Sequence, residues 1–159
     1  MVNMEFELIK ESNFDKARKL VDLVIKEKKL PVVVARDDDF NRKVLEKTNL
    51  RYLLFVNFKE RKDRLKQRDA GLSEFICKVA RDKGIFIGFC FAEILKLQGK
   101  ELAWHLAKIR QNIMLCKKYK VKVVLFEIEG LNKKDLFGFL LSLGMSTDMA
   151  KFAVENNLN

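Results

Sequence analysis

Residues Arg68 to Lys122, RDAGLSEFICKVARDKGIFIGFCFAEILKLQGKELAWHLAKIRQNIMLCKKYKVK, decide the fold. Leu72, Phe75, Ile76, Val79 and Ala80 recur at i, i+3, i+4, i+7 and i+8, one face of a helix at the 3.6-residue period. Gly84 comes directly after and suits the left-handed conformation that closes a helix. Ile85 to Phe91 then run without polar interruption, the pattern of a strand covered on both faces. A longer helix carries Leu102, Leu106, Ile109, Ile113 and Cys116 on one stripe and ends in a basic turn, before a second apolar strand at Val121 to Phe126. Strand, helix, strand of this kind predicts a parallel sheet.

The flanking segments repeat the alternation. Met4, Phe6 and Leu8 alternate with Glu5 and Glu7 as a short half-exposed strand. Ser12 with Asp15 three residues on predicts a helix start, continued by Phe14, Ala17, Leu20, Val21, Val24 and Ile25. Pro31, the one proline, opens a strand over Val32 to Ala35, where a missing amide proton is best tolerated. Asp37, Asp38 and Asp39 favour the N-terminus of a helix covering Phe40 to about Lys47. Tyr52 to Val56 make a third strand. After the last strong strand, Leu136 to Leu141 form a short helix closed by Gly144, and Ser146 begins a final one with Met149, Phe152 and Ala153 inward. Five strands interleaved with six helices, without linker or repeat, predict one α/β domain over residues 1–159. Such alternation builds an open doubly wound sheet or a barrel, and five strands are too few to complete an eight-stranded barrel.

The 32 Lys and Arg against 22 Asp and Glu give a formal charge of +10, which suits a polyanion; an acidic protein partner or mere solubility remains open at this level. The three cysteines, Cys77, Cys90 and Cys116, show no CxxC spacing and read as reduced core residues. No apolar run reaches membrane-span length, and the charged N-terminus MVNMEFELIKE does not read as a signal peptide, so a cytoplasmic location is expected.

Asp69, Gly71 and Leu72 before the first helix, the strand IFIGF, and the run QNIMLCKKYKVKVV together resemble the protein component 3 family of archaeal ribonuclease P. ELIKESNFDKARKL, VVVARDDDFNRKVLE, the RxxxxKxRDAGL run and KKDLFGFLLSLGM are similar to successive family segments. The resemblance implies a TIM-barrel-like (PHP-like) parallel sheet with surrounding helices. It is expected to be shortened or open, because family members usually begin with further strand and helix material. The implied role is that of a noncatalytic ribonucleoprotein subunit of an endonuclease, in the 5′ maturation of precursor tRNA. Catalysis and bound Mg2+ then belong to the RNA component, a small ferredoxin-like subunit is the protein partner, and precursor tRNA is met indirectly. Where the family tends to have Ser-Gly-Ala after the last strong strand, this chain has Phe126 to Gly130, which leaves any contact made by that loop open.

The residues themselves offer two basic clusters. Lys59, Arg61, Lys62, Arg64, Lys66 and Arg68 come after the C-terminal end of a strand, the edge where α/β folds place ligand sites. They can neutralise backbone phosphates without reading sequence. A solvated charged face explains the run equally well from charge alone, and the resemblance favours the phosphate reading. Lys117 and Lys118, with Lys120 and Lys122, surround Tyr119 at a helix end, where cations also favour the macrodipole. This second cluster is expected on the opposite edge of the sheet, apart from the first. Asp69, Gly71 and Leu72 are expected to be structural.

A hydrolase of the metal-dependent phosphoesterase class, related in fold, is the alternative, with a partner-binding scaffold lacking an RNA role as a third reading. The one histidine, His105, sits mid-helix beside Trp104 and reads as a packing residue. Asp37, Asp38, Asp39, Glu127 and Glu129 come after strands and could hold Mg2+, but helix capping explains the first three. No nucleophile elbow, phosphate-binding glycine loop or zinc spacing is present, so no catalytic residue, protein-bound metal or cofactor is assigned.

Overall fold

In chain order, the elements are β1 (Phe6–Ile9), α1 (Phe14–Lys26), β2 (Leu30–Val34), α2 (Asp38–Lys47), β3 (Tyr52–Phe55), α3 (Glu74–Lys83), β4 (Phe86–Cys90), α4 (Phe91–Leu95), α5 (Gly99–Tyr119), β5 (Val123–Phe126), α6 (Lys133–Ser142) and α7 (Thr147–Glu155), as seen in a computed structural model that describes residues 4–159. All neighbouring strands are parallel and the sheet order is β1-β2-β3-β4-β5. Chain order without reversal is the decisive feature. Right-handed crossovers between successive neighbours keep placing helices on one face, so the sheet is wound in one direction as in a barrel. A doubly wound sheet would reverse its strand order. The fold is therefore an open α/β sheet with barrel-like winding.

Strand register sorts the side chains. Val33, Leu53, Ile87 and Val123 stand side by side beneath the helices and join the larger core. Val32, Tyr52, Leu54, Cys90, Val124 and Phe126 line the other face. There Phe126 meets Phe6 and Tyr52 edge-on, with ring centroids 5.7 and 5.8 Å apart. Gly88 makes room for this: a Cβ on it would lie 2.6 Å from the Phe126 ring. The C-terminal segment covers the same face. Phe152 of α7 meets Phe86 edge-on at 5.7 Å, and Leu158 pairs with the edge of β5, its N–H donating to the Leu125 carbonyl at 2.9 Å. The β5 edge is thus shielded by the chain itself, as an open sheet requires.

Several local expectations shift. Helix α1 is capped by Asn13, whose side chain accepts from the Lys16 N–H at 3.1 Å, whereas the Ser12 N–H is bonded to Glu11. The strand after Gly84 stops at Cys90, and the short helix α4 is separated from α5 by a break ending at Gln98, which makes seven helices among the described residues instead of six. Gly84 adopts φ 67° as the left-handed cap of α3. Leu20, Ile25 and Phe75, assigned to apolar faces by period, are partly exposed. Asp37 caps α2, its carboxylate accepting from the Phe40 N–H at 2.9 Å. Cys77, Cys90 and Cys116 are buried free thiols.

Candidate nucleic-acid interface

The basic run leaves β3 at the C-terminal edge of the sheet and forms a small hairpin. Arg64 and Gln67 exchange backbone hydrogen bonds of 2.8 and 3.2 Å, which puts Leu65 and Lys66 at the tip with Leu65 99% exposed. A long polar connection from β3 to α3 does not hold one shape by propensity alone. Helix α5 fixes it. The Lys108 side chain, wholly buried, spends its three protons on the Arg61 carbonyl at 2.6 Å, the Asp69 carbonyl at 2.5 Å and Asp63 Oδ1 at 2.9 Å. Its ammonium also lies 4.2 Å from the centre of the Trp104 ring. About one turn farther on, Gln111 donates to the Arg68 carbonyl at 2.9 Å and Asn112 to the Ala70 carbonyl at 2.7 Å. One face of α5 therefore satisfies four carbonyls and draws both limbs of the loop together. Asp63 completes the clamp, with the Asp69 N–H and Lys108 holding its carboxyl below the usual carboxylate range.

The Asp69-Gly71 motif locks the second limb. Asp69 Oδ1 accepts from the Gly71 N–H at 3.1 Å and from Arg61 Nη1 at 2.9 Å. Gly71 has φ +93°, and a Cβ there would fall 2.8 Å from the Phe55 ring and 3.0 Å from Arg61 Nε. Glycine is required on both counts. Leu72 is buried behind it.

The sequence-predicted cations divide accordingly. Arg61, expected among the phosphate contacts, has a side chain only 13% exposed, and its guanidinium is engaged by Asp38 at 2.7 Å, Asp69 at 2.9 Å and the Arg36 carbonyl at 2.8 Å. Burial works against that charge, but the two carboxylates outweigh it and hold the guanidinium above its ordinary value. Arg64 is exposed and reaches the same carboxylates at 3.5 and 3.8 Å. Lys62, Lys66 and Arg68 are exposed, and among the described residues none of them has an ion pair. Lys117 turns toward the Gly144 carbonyl at 3.5 Å.

Lys118, at the far end of α5, links the second cluster to the first although the two start at opposite edges of the sheet. A groove of about 1000 Å³ runs along the outer surface between the hairpin, α3 and α5, and its lining includes Arg64 and Arg68 at one end, then Arg110, then Lys118. Helix α5 crosses the protein from one sheet edge to the other and carries the basic character with it. Sequence reasoning missed Lys108, Gln111 and Asn112, which build the loop's support. A signal was present: these polar residues stand at i, i+3 and i+4 beside buried Ile109 and Ile113, on a helix whose expected stripe was purely apolar.

His105 and Glu127, weighed as ligands in the metal alternative, have other contacts. His105 is buried and meets the Phe58 ring edge-on at 4.9 Å, and burial pushes its pKa down. Glu127 accepts from the Cys90 thiol at 3.1 Å; burial and that carboxylate raise the thiol to about 11. Among the described residues, no three His, Cys, Asp or Glu side chains gather where they could hold one ion. Among the same residues, no helix is long and apolar enough to cross a membrane.

No family model and no curated protein matches the sequence. Solved structures do match the fold. A crystal structure of an uncharacterized protein is similar over 89% of this chain and 36% of its own, with 13% identity and a TM-score of 0.59. A chain in the cryo-EM structure of archaeal ribonuclease P with mature tRNA is similar over 93% of this chain, with 24% identity and a TM-score of 0.73, and this chain spans 63% of its length.

Proposed function

We propose that the chain is a protein subunit of ribonuclease P that binds the RNA component and does no chemistry itself. The observation that carries this reading is the likeness of nearly the whole chain to a chain of archaeal ribonuclease P. The resemblance of the Asp69-Gly71-Leu72 run and the helices after it to protein component 3 supports that choice of subunit. The exposed cations of the hairpin supply the physics. Lys62, Lys66 and Arg68 have no carboxylate to satisfy them among the described residues, so they are free to replace counterions on RNA phosphates. In this role the protein lowers repulsion between RNA segments, Mg2+ acts on the RNA, and a small ferredoxin-like subunit is the expected protein partner.

The test is a salt titration of binding to ribonuclease P RNA with Lys62, Lys66 and Arg68 all changed to Glu. Binding should weaken across RNA sequences, and the log-log salt slope should flatten by roughly 0.7 to 0.9 per lost phosphate contact. A control with Lys19→Glu and Lys26→Glu on α1 should change less. Equal effects from the two variants, or an unchanged slope for the hairpin variant, would remove the hairpin from the interface.

A further inference from the structure

The groove between the hairpin, α3 and α5 is more than a continuation of the basic surface, because its floor is apolar. Phe75 and Met114, 45% and 47% exposed, lie between the cations Arg64 and Arg68 at one end and Arg110 and Lys118 along α5. The Arg42 guanidinium, paired with Glu46 at 3.4 Å, lies 4.8 Å over one face of the Phe75 ring, which leaves the ring's other face and edge for a ligand. The acidic groups at the rim are already engaged: Asp38 and Asp69 by Arg61, and Glu74 by Lys78 at 2.6 Å. Among the described residues Arg68, Arg110 and Lys118 have no ion pair.

We infer that this groove holds an unpaired RNA strand. The inference rests on the RNA-binding reading above and specifies the form of RNA taken here. A-form duplex keeps its base faces stacked inside and would offer the groove phosphates, 2′-hydroxyls and base edges, leaving Phe75 without a base to stack on. An unpaired strand presents phosphates and base faces together, which matches cations at the rims and stackable surface on the floor. The carboxylates of an acidic peptide would satisfy the cations but offer no aromatic face to stack on Phe75. Helix α3 begins at the groove too, with Ser73 accepting from the Ile76 N–H, so its positive end adds to the attraction for phosphate.

The experiment compares a labelled, unstructured ten-nucleotide RNA with a blunt RNA duplex by fluorescence anisotropy, using the full chain. The single strand should bind at least ten-fold tighter. Phe75→Ala should weaken that binding about ten-fold with the salt slope unchanged, while Phe75→Leu should fall between. Arg110→Gln should weaken it and flatten the slope by about 0.7, as expected for one lost contact on a single strand. Both positions are exposed enough that circular dichroism and melting should match the parent protein. Equal affinity for duplex, or no effect of Phe75→Ala in a folded variant, overturns the inference. If ribonuclease P RNA still binds through the hairpin cations while the short strand does not, the groove assignment fails and the proposed function stands. If neither RNA binds but an acidic peptide does, both fail.

Discussion

Replacing Lys108 by Met tests how the loop is held. The substitution keeps the length and apolar stem of the side chain and deletes the ammonium. The Arg61 and Asp69 carbonyls, at 2.6 and 2.5 Å from it, then lose their donor beneath the loop. At about 1 to 2 kcal/mol for each unsatisfied buried carbonyl, the loss is about 2 to 4 kcal/mol. Asp63 adds little, because its side chain is 37% exposed and regains water when its partner goes. Burying the ammonium itself has a desolvation cost, which the variant no longer carries, so the lower half of that range is expected. Urea unfolding should show a lowered midpoint with an unchanged slope. The melting temperature should drop on the order of 5 to 10 °C for a chain of this size. The functional consequence should exceed the stability loss. With the clamp gone, the hairpin cations lose their fixed positions, so under the proposed function affinity for RNA should fall even at temperatures where the variant is fully folded. A Lys108→Met protein as stable as the parent, with the same RNA affinity, would show that packing alone shapes the loop.

Gly71→Ala should destabilise by about 3 kcal/mol in urea unfolding, from the strain of a positive φ and from the contacts a Cβ would make with Phe55 and Arg61; a loss under about 1 kcal/mol would show that the turn relaxes freely. His105 gives a pH signature. Burial depresses its folded-state pKa, so the unfolded chain takes up the proton first: His105 has no cost above the unfolded value near 6.5, and stability falls as the pH drops through that value toward the folded one. The parent's urea midpoint should therefore decline between about pH 7 and 5, and His105→Phe should be flatter over that interval. Asp63 acts elsewhere, since its lowered pKa loses its stabilising effect only below the ordinary carboxylate range. A parent midpoint independent of pH over that upper interval would contradict the burial argument.

Much of the architecture is written in local sequence. The period of α3, the left-handed Gly84, the apolar run of β4 and the cap at Asp37 are each fixed by residues within a few positions of one another, so a linear reading reaches them. The parallel sheet comes from their order. Boundaries are less secure where two local signals compete, as at Ser12 and Asn13, or where an apolar run carries through a strand end, as from Cys90 into α4. The candidate site was legible as charge and, through the resemblance, as the Asp69-Gly71-Leu72 motif. Sequence places six cations between Lys59 and Arg68 but cannot tell which of them face water, because that depends on Asp38, 23 residues before Arg61, and on Lys108, 47 residues after it. Tertiary structure turns Arg61 inward as a strut and frees Lys62, Lys66 and Arg68. It also joins Lys118 to the hairpin through a groove that no contiguous stretch encodes. Winding direction was likewise undecided in the sequence, since doubly wound and barrel-like sheets share the same alternation of elements. The strand order β1-β2-β3-β4-β5 is set by which hydrophobic faces meet when the sheet closes over its helices, and those meetings are contacts between residues distant in the chain.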